Sequence, residues 1–183
     1  GYGYKWDIDK NTVFLNDSKK SANVLPSRFT YADLDKLPSV RNQGRLSTCW
    51  AFAACTALES GLLPEEHYTF SVDNMSVNNG FKGTQADGGE CMRAIAYLAS
   101  WKGPVKEEDD PYGDGICNYD AKPVKHVQEV QIIDSKNFES IKKAVFLHGG
   151  VQTSIYTQMT SGSGYSRYYN KSNNAYCYIG THR

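Results

Sequence analysis

The sequence reads as an α+β chain built from two unlike lobes. Three observations carry that reading. The clearest helical patterns, at residues 48–61 and 90–100, come first. Alternating, strand-like runs come later, at 127–133 and 151–156. Between them lies the charged and then turn-forming run Lys106-Glu107-Glu108-Asp109-Asp110-Pro111-Tyr112-Gly113. Helices followed by strands are the mark of segregated α+β packing. A length of 183 residues allows one large domain or two small lobes sharing a cleft.

Residues 1–24 are polar and read as a leader or linker. Asp7, Asp9 and Asn11 faintly resemble a calcium loop, but its Gly and closing Glu are missing, so surface polarity is the better reading. Thr48 can serve as N-cap for the first helix, in which Trp50, Ala53, Ala54 and Ala57 recur at helical spacing. That helix is apolar nearly all round, which predicts burial, and Gly61 can close it. A short helical turn is expected over 72–77. The helix at 90–100 should face inward through Met92, Ile95, Ala96 and Ala99, and stop at Gly103-Pro104. Residues 138–148 read as an amphipathic helix with Ile141, Ala144, Val145 and Leu147 inward, broken by Gly149-Gly150. Residues 161–164 read as a turn and 175–179 as a last strand. The expected division is therefore a leader at 1–24, a helical lobe at 25–105 and a strand-rich, partial lobe at 106–183.

Composition narrows the function classes. Hydrophobic content of 40% and charged content of 22% suit a globular protein. The formal net charge is zero, which gives no reason to expect a nucleic-acid partner. No apolar run approaches the ~20 residues of a membrane-spanning helix. The five cysteines, Cys49, Cys55, Cys91, Cys117 and Cys177, form no CxxC pair, against a zinc ribbon or a thioredoxin-type site. No metal or organic cofactor is implied.

Cys49 is the candidate for chemistry. It stands on the first turn of the best helix, where unpaired amides and the helix dipole favour a thiolate. The preceding loop, Asn42-Gln43-Gly44-Arg45-Leu46-Ser47-Thr48, can bring the Gln43 amide close to the sulfur. Gln43 and the Cys49 amide would then donate to a developing oxyanion. On position alone, a small buried hydrophobe opening a core helix is the better reading of Cys49.

Asn42-Gln43-Gly44 followed by Cys49-Trp50-Ala51-Phe52-Ala53 resembles the active-site segment of the papain-like cysteine proteases. The likeness runs from about residue 25 to the end. It includes Leu25-Pro26-Ser27-Arg28-Phe29, Phe70-Ser71-Val72-Asp73-Asn74-Met75, Asp87-Gly88-Gly89, Asp110-Pro111-Tyr112 and His148-Gly149-Gly150-Val151. It is similar in flavour to bacterial secreted and surface members. The resemblance implies a two-lobe papain-like fold, with the helical left lobe complete and the β-rich right lobe partial. It implies a cysteine endopeptidase acting on polypeptide through a thioester, secreted or at the cell surface, with a propeptide or adjoining domain as a further partner. Cys49 would be the nucleophile and Gln43 the oxyanion donor. Trp50, Gly88 and Gly89 would line the substrate cleft, the two glycines leaving backbone free for an extended peptide.

Departures from the family pattern are as informative. A family disulfide cysteine is replaced by Leu46, and the usual partner of Cys117 is missing near residues 75–78. Cys55 and Cys91 either pair or stay free, with free thiols favoured. The family's catalytic His and its orienting Asn belong to a C-terminal stretch that does not precede Arg183. They are expected in a segment beyond it, which would leave these 183 residues inactive alone. His182 is a poor substitute in a terminal tail, and His67, His126 and His148 fall in segments away from the cleft. A non-catalytic papain-fold module that binds a peptide or partner is the alternative. Glu90 reads as a solvent-facing helix-start residue, and Asn74 and Asn170 open glycosylation sequons.

Overall fold

The computed structural model describes residues 25–157 and 166–179. These divide into two compact units, one extending to Gln152 and the other beginning at Thr153. The expectations for 1–24, for the loop at 161–164 and for His182 lie outside the described residues.

Among the described residues, the first element of the first unit is a 3-10 turn at Tyr31–Leu34, capped by the Thr30 side chain. Four helices follow: α1 (Cys49–Leu62), α2 (Val72–Val77), α3 (Cys91–Ala99) and α4 (Phe138–His148). Two of them start at a side-chain cap. Ser71 accepts from the Asn74 amide at the start of α2, and Asn137 accepts from Ser140 at the start of α4. Thr48 does occupy the N-cap position of α1, yet its side chain makes no capping bond.

The core lies where α1, α2 and α3 meet. Trp50, Ala51, Ala54 and Cys55 of α1 pack with Phe70, Val72 and Met75 and with Ala94, Tyr97 and Leu98 of α3. The buried face of α3 is therefore Ala94, Tyr97 and Leu98, not the expected Met92, Ile95, Ala96 and Ala99. The large Tyr97 ring decides the rotation. It is fully buried, and its hydroxyl donates to Asn74 Oδ1 at 2.7 Å. Gly103 makes room for it: a Cβ there would sit 1.9 Å from the Tyr97 hydroxyl. The helix itself ends earlier, at Ala99, and Trp101 just beyond it takes a left-handed φ of 57°.

Gly61 does not close α1, which continues to Leu62. Its missing side chain instead admits another chain segment. A Cβ at Gly61 would lie 2.9 Å from the His148 carbonyl, and one at Gly149 would lie 2.6 Å from the Gly61 Cα. The end of α4 thus crosses α1 at backbone distance, with Gly150 close to Ala57.

The expected strands at 127–133 and 151–156 are not strands in the structure. Their alternation is real, but a strand requires a hydrogen-bonded neighbour, and none pairs with them among the described residues. Val130 and Ile132 remain exposed as a result. In the second unit, β1 (Tyr169–Asn170) pairs antiparallel with β2 (Ala175–Tyr176), shorter than the strand expected at 175–179. Tyr168 packs edge-on against Tyr176 and Tyr178 within this unit.

A buried ion pair ties α1 to the loop before it. Arg41 contacts Glu59 at 3.0 Å, and Glu59 Oε1 also accepts from the Phe70 amide at 2.8 Å. Burial raises the Glu59 pKa above the ordinary glutamate value, against the lowering by the Phe70 amide and Arg41. The folded state then binds a proton that the unfolded chain has already released. Stability contributed by Glu59 is present at acid pH and declines as pH rises from the ordinary glutamate pKa through the raised one. Denaturant midpoints across that window should fall more steeply with pH in the wild type than in Glu59→Gln. Equal slopes would remove Glu59 as the source.

Candidate active site

Each sequence-predicted site residue falls on one of two loops or on the first turn of α1. Cys49 is the first residue of α1, and its thiol is free and exposed. Trp50 follows it and is buried, with 6% of its surface exposed. The loop before them is shaped by local bonds. Asn42 Oδ1 accepts from the Gly44 amide at 2.8 Å, and Gly44 takes φ +62°. Gln43 Nε2 donates to the Leu46 carbonyl at 2.8 Å. A carboxamide has two N–H donors, so this bond leaves Gln43 a second one.

The glycine pair comes against this helix start. A Cβ on Gly89 would fall 2.4 Å from the Trp50 Nε1, so the indole occupies the space a side chain would need. Gly88, at φ +79°, faces Ser47. Between the two loops, the Ser47 amide donates to the Gln85 carbonyl at 2.9 Å. Gln85 Nε2 in turn donates to Asp73 Oδ1 and to Ser76 Oγ on α2. The structure therefore brings Cys49, Trp50, Gly88 and Gly89 to one place, with the Gln43 loop bonded to the same assembly. Gln152 Nε2, which donates to the Trp50 carbonyl at 3.0 Å, was not expected at this site.

Tyr112 was also not expected as a site residue. Its hydroxyl donates to the Gln43 carbonyl at 2.8 Å and lies 2.6 Å from Thr48 Oγ1. Its only sequence signal is the run Asp110-Pro111-Tyr112, which names no partner.

The described histidines sit in other settings. His126 stacks on Trp101 with centroids 4.6 Å apart. His148 ends α4, and His67 lines a cavity of about 300 Å³ with Arg41, Glu59 and Tyr68. Neither Cys49 nor the glycine pair lines that cavity. Cys55 is buried, Cys91 is exposed, and no disulfide joins them. Burial pushes the Cys117 thiol up to about 11, with Asp110 adding to the effect. Such a thiol stays mostly protonated at neutral pH. Asn74 is 1% exposed, so the folded chain hides the first sequon, while Asn170 is exposed. Glu90 is exposed and makes no capping bond to α3. Among the described residues, no cluster of His, Cys, Asp or Glu could hold a metal ion. No helix among them is long and apolar enough to cross a membrane.

The chain is similar to known proteins in sequence and fold. A viral cathepsin of Adoxophyes honmai nucleopolyhedrovirus is 27% identical over 149 residues, covering 79% of this chain and 44% of the relative. Cathepsin L 2 of Paramecium tetraurelia is 34% identical over 132 residues, covering 68% of this chain and 42% of the relative. Among solved structures, the cysteine protease and lectin-like domains of Cwp84, a surface-layer associated protein of Clostridium difficile, superpose with a TM-score of 0.65. That match is 25% identical and covers 85% of this chain and 37% of the other. The chain thus spans less than half the length of these relatives. The sequence profile described as papain family cysteine protease matches residues 25–179. With its α+β, papain-like fold, the chain belongs to the papain family of cysteine proteases.

Proposed function

We propose that this chain carries the nucleophile half of a cysteine endopeptidase site, with Cys49 as the attacking group. The observation that supports it best is the exposed, free thiol at the first residue of α1, beside Gly88 and Gly89. The thiolate attacks the carbonyl carbon of a peptide bond. The second N–H of Gln43 and the Cys49 amide stabilise the negative oxygen that results. Collapse releases the amine and leaves a thioester, which water hydrolyses. Gly88 and Gly89 offer backbone to an extended peptide lying across the Trp50 edge.

The amine must be protonated as it leaves, and the thiolate needs a base. We assign these roles to a His and an orienting Asn in a segment following Arg183. The relatives are more than twice as long as their matched parts, which supports the assignment. We retain 25–105 as the nucleophile lobe and 106–183 as part of the second, with 1–24 as a leader. The surface-layer association of Cwp84 supports secretion or surface display, with a propeptide or adjoining domain as partner.

A thiol-directed epoxide inhibitor is expected to label Cys49 in the full-length protein and to leave Cys49→Ala unlabelled, as read by intact mass. Equal labelling of the two would reject the nucleophile. The stacking of His126 on Trp101 and the place of His67 in another cavity favour the second reading, a non-catalytic peptide-binding module, if no His and Asn follow Arg183.

A further inference from the structure

We infer that Tyr112 is a positioning residue that holds the oxyanion-donor loop and the helix start in register with Cys49; this rests on the nucleophile assignment above. The direction of its hydrogen bonds follows from proton count. A phenol carries one hydrogen, and a carbonyl can only accept. The Tyr112 hydrogen therefore goes to the Gln43 carbonyl, and Thr48 must donate its own hydrogen to the Tyr112 oxygen. One phenol thus clamps the main chain of the residue bearing the oxyanion donor and the side chain of the residue preceding the nucleophile.

The Thr48 bond has a second consequence. An N-cap threonine normally accepts from the first-turn amides of its helix. Here the Thr48 side chain caps nothing on α1. Its hydroxyl is fully buried and directed to Tyr112, so the side chain does not compete for the positive end of α1 on which Cys49 sits.

Tyr112 is itself held on three sides. Its amide donates to Glu107 Oε1 at 2.9 Å, and Glu107 contacts Arg41 at 3.4 Å. Its ring meets the Phe52 ring edge-on at 4.8 Å, and the Arg41 guanidinium covers the same Phe52 ring at 5.2 Å. The neighbouring Asp110 carbonyl accepts from buried Ser71 Oγ at 2.6 Å. The phenol is thus fixed by contacts that do not depend on the bond it donates to Gln43 or the one it accepts from Thr48.

Tyr112→Phe keeps the ring contact and removes only the oxygen. In the full-length protein, kcat on a peptide substrate is expected to fall about tenfold with KM unchanged, because an oxyanion donor acts in the transition state. Alkylation of Cys49 by iodoacetamide needs no such donor and should stay within about twofold. Thr48→Val, which removes the other hydroxyl, should lower kcat in the same selective way. An unchanged kcat in Tyr112→Phe would overturn the inference. So would a fall in kcat matched by equal losses in alkylation and unfolding temperature, which would mark a purely structural residue. Retained hydrolysis by Cys49→Ala would instead sink the nucleophile assignment, and the positioning role with it.

Discussion

Asn74→Ala is expected to cost the fold about 3–5 kcal/mol, a large part of the 5–15 kcal/mol typical of a domain. Asn74 lies on α2 with 1% of its surface exposed. Its Oδ1 accepts from the Tyr97 hydroxyl, and its Nδ2 donates to Asp110 Oδ2 at 2.8 Å and to the Asn118 carbonyl at 3.0 Å. Alanine would leave all three partners short of a bond. Two of them, Tyr97 and Asp110, are themselves buried. Each orphaned neutral group costs about 1–3 kcal/mol, and a carboxylate more. The Tyr97 phenol cannot escape by ionising, since burial pushes its pKa far above the ordinary tyrosine value. Urea unfolding of the two proteins checks the figure. A loss under about 1 kcal/mol would mean that water enters and replaces the amide, so that Asn74 is not the hub of this cluster.

The same cluster shows where the sequence was readable and where it was not. The start of α1 followed from Thr48 in the N-cap position and from apolar spacing, and the end of α4 from the glycines after His148. The inner face of α3 did not. Met92, Ile95, Ala96 and Ala99 lie on a plausible apolar stripe, but a buried phenol with a buried amide partner outweighs it. That partner is 23 residues away on another helix, where periodicity cannot see it. The runs at 127–133 and 151–156 failed for a related reason. Alternation marks residues able to form a strand, whereas a sheet needs a second segment in register. At the site, the motif around Cys49 was legible because its residues are close in sequence. Tyr112 was not, because its partners Thr48 and Gln43 lie 64 and 69 residues earlier.

Gly88 and Gly89 allow the packing at the site to be separated from backbone preference. By conformation alone Gly88 is the residue that needs to be glycine, with φ +79°. Alanine there costs roughly 1–2 kcal/mol for the left-handed backbone. Its Cβ would meet only Ser47, at an ordinary 3.8 Å. Gly89 has no such φ, yet a Cβ on it would approach Trp50 Nε1 to 2.4 Å and Cε2 to 2.5 Å. The indole cannot easily retreat, because Trp50 is buried and belongs to the core around Ala54, Phe70 and Tyr97. Either the ring leaves its place or the loop lifts away from the start of α1. Overpacking of this kind costs about 1–3 kcal/mol, occasionally more. It also displaces the surface that would bind substrate beside Cys49. Gly89→Ala is therefore expected to lower the unfolding temperature more than Gly88→Ala. It should also change the tryptophan emission and slow epoxide labelling of Cys49 in the full-length protein, while Gly88→Ala leaves the emission unchanged. The reverse order of stabilities would mean that backbone strain at Gly88, rather than contact with Trp50, fixes this loop.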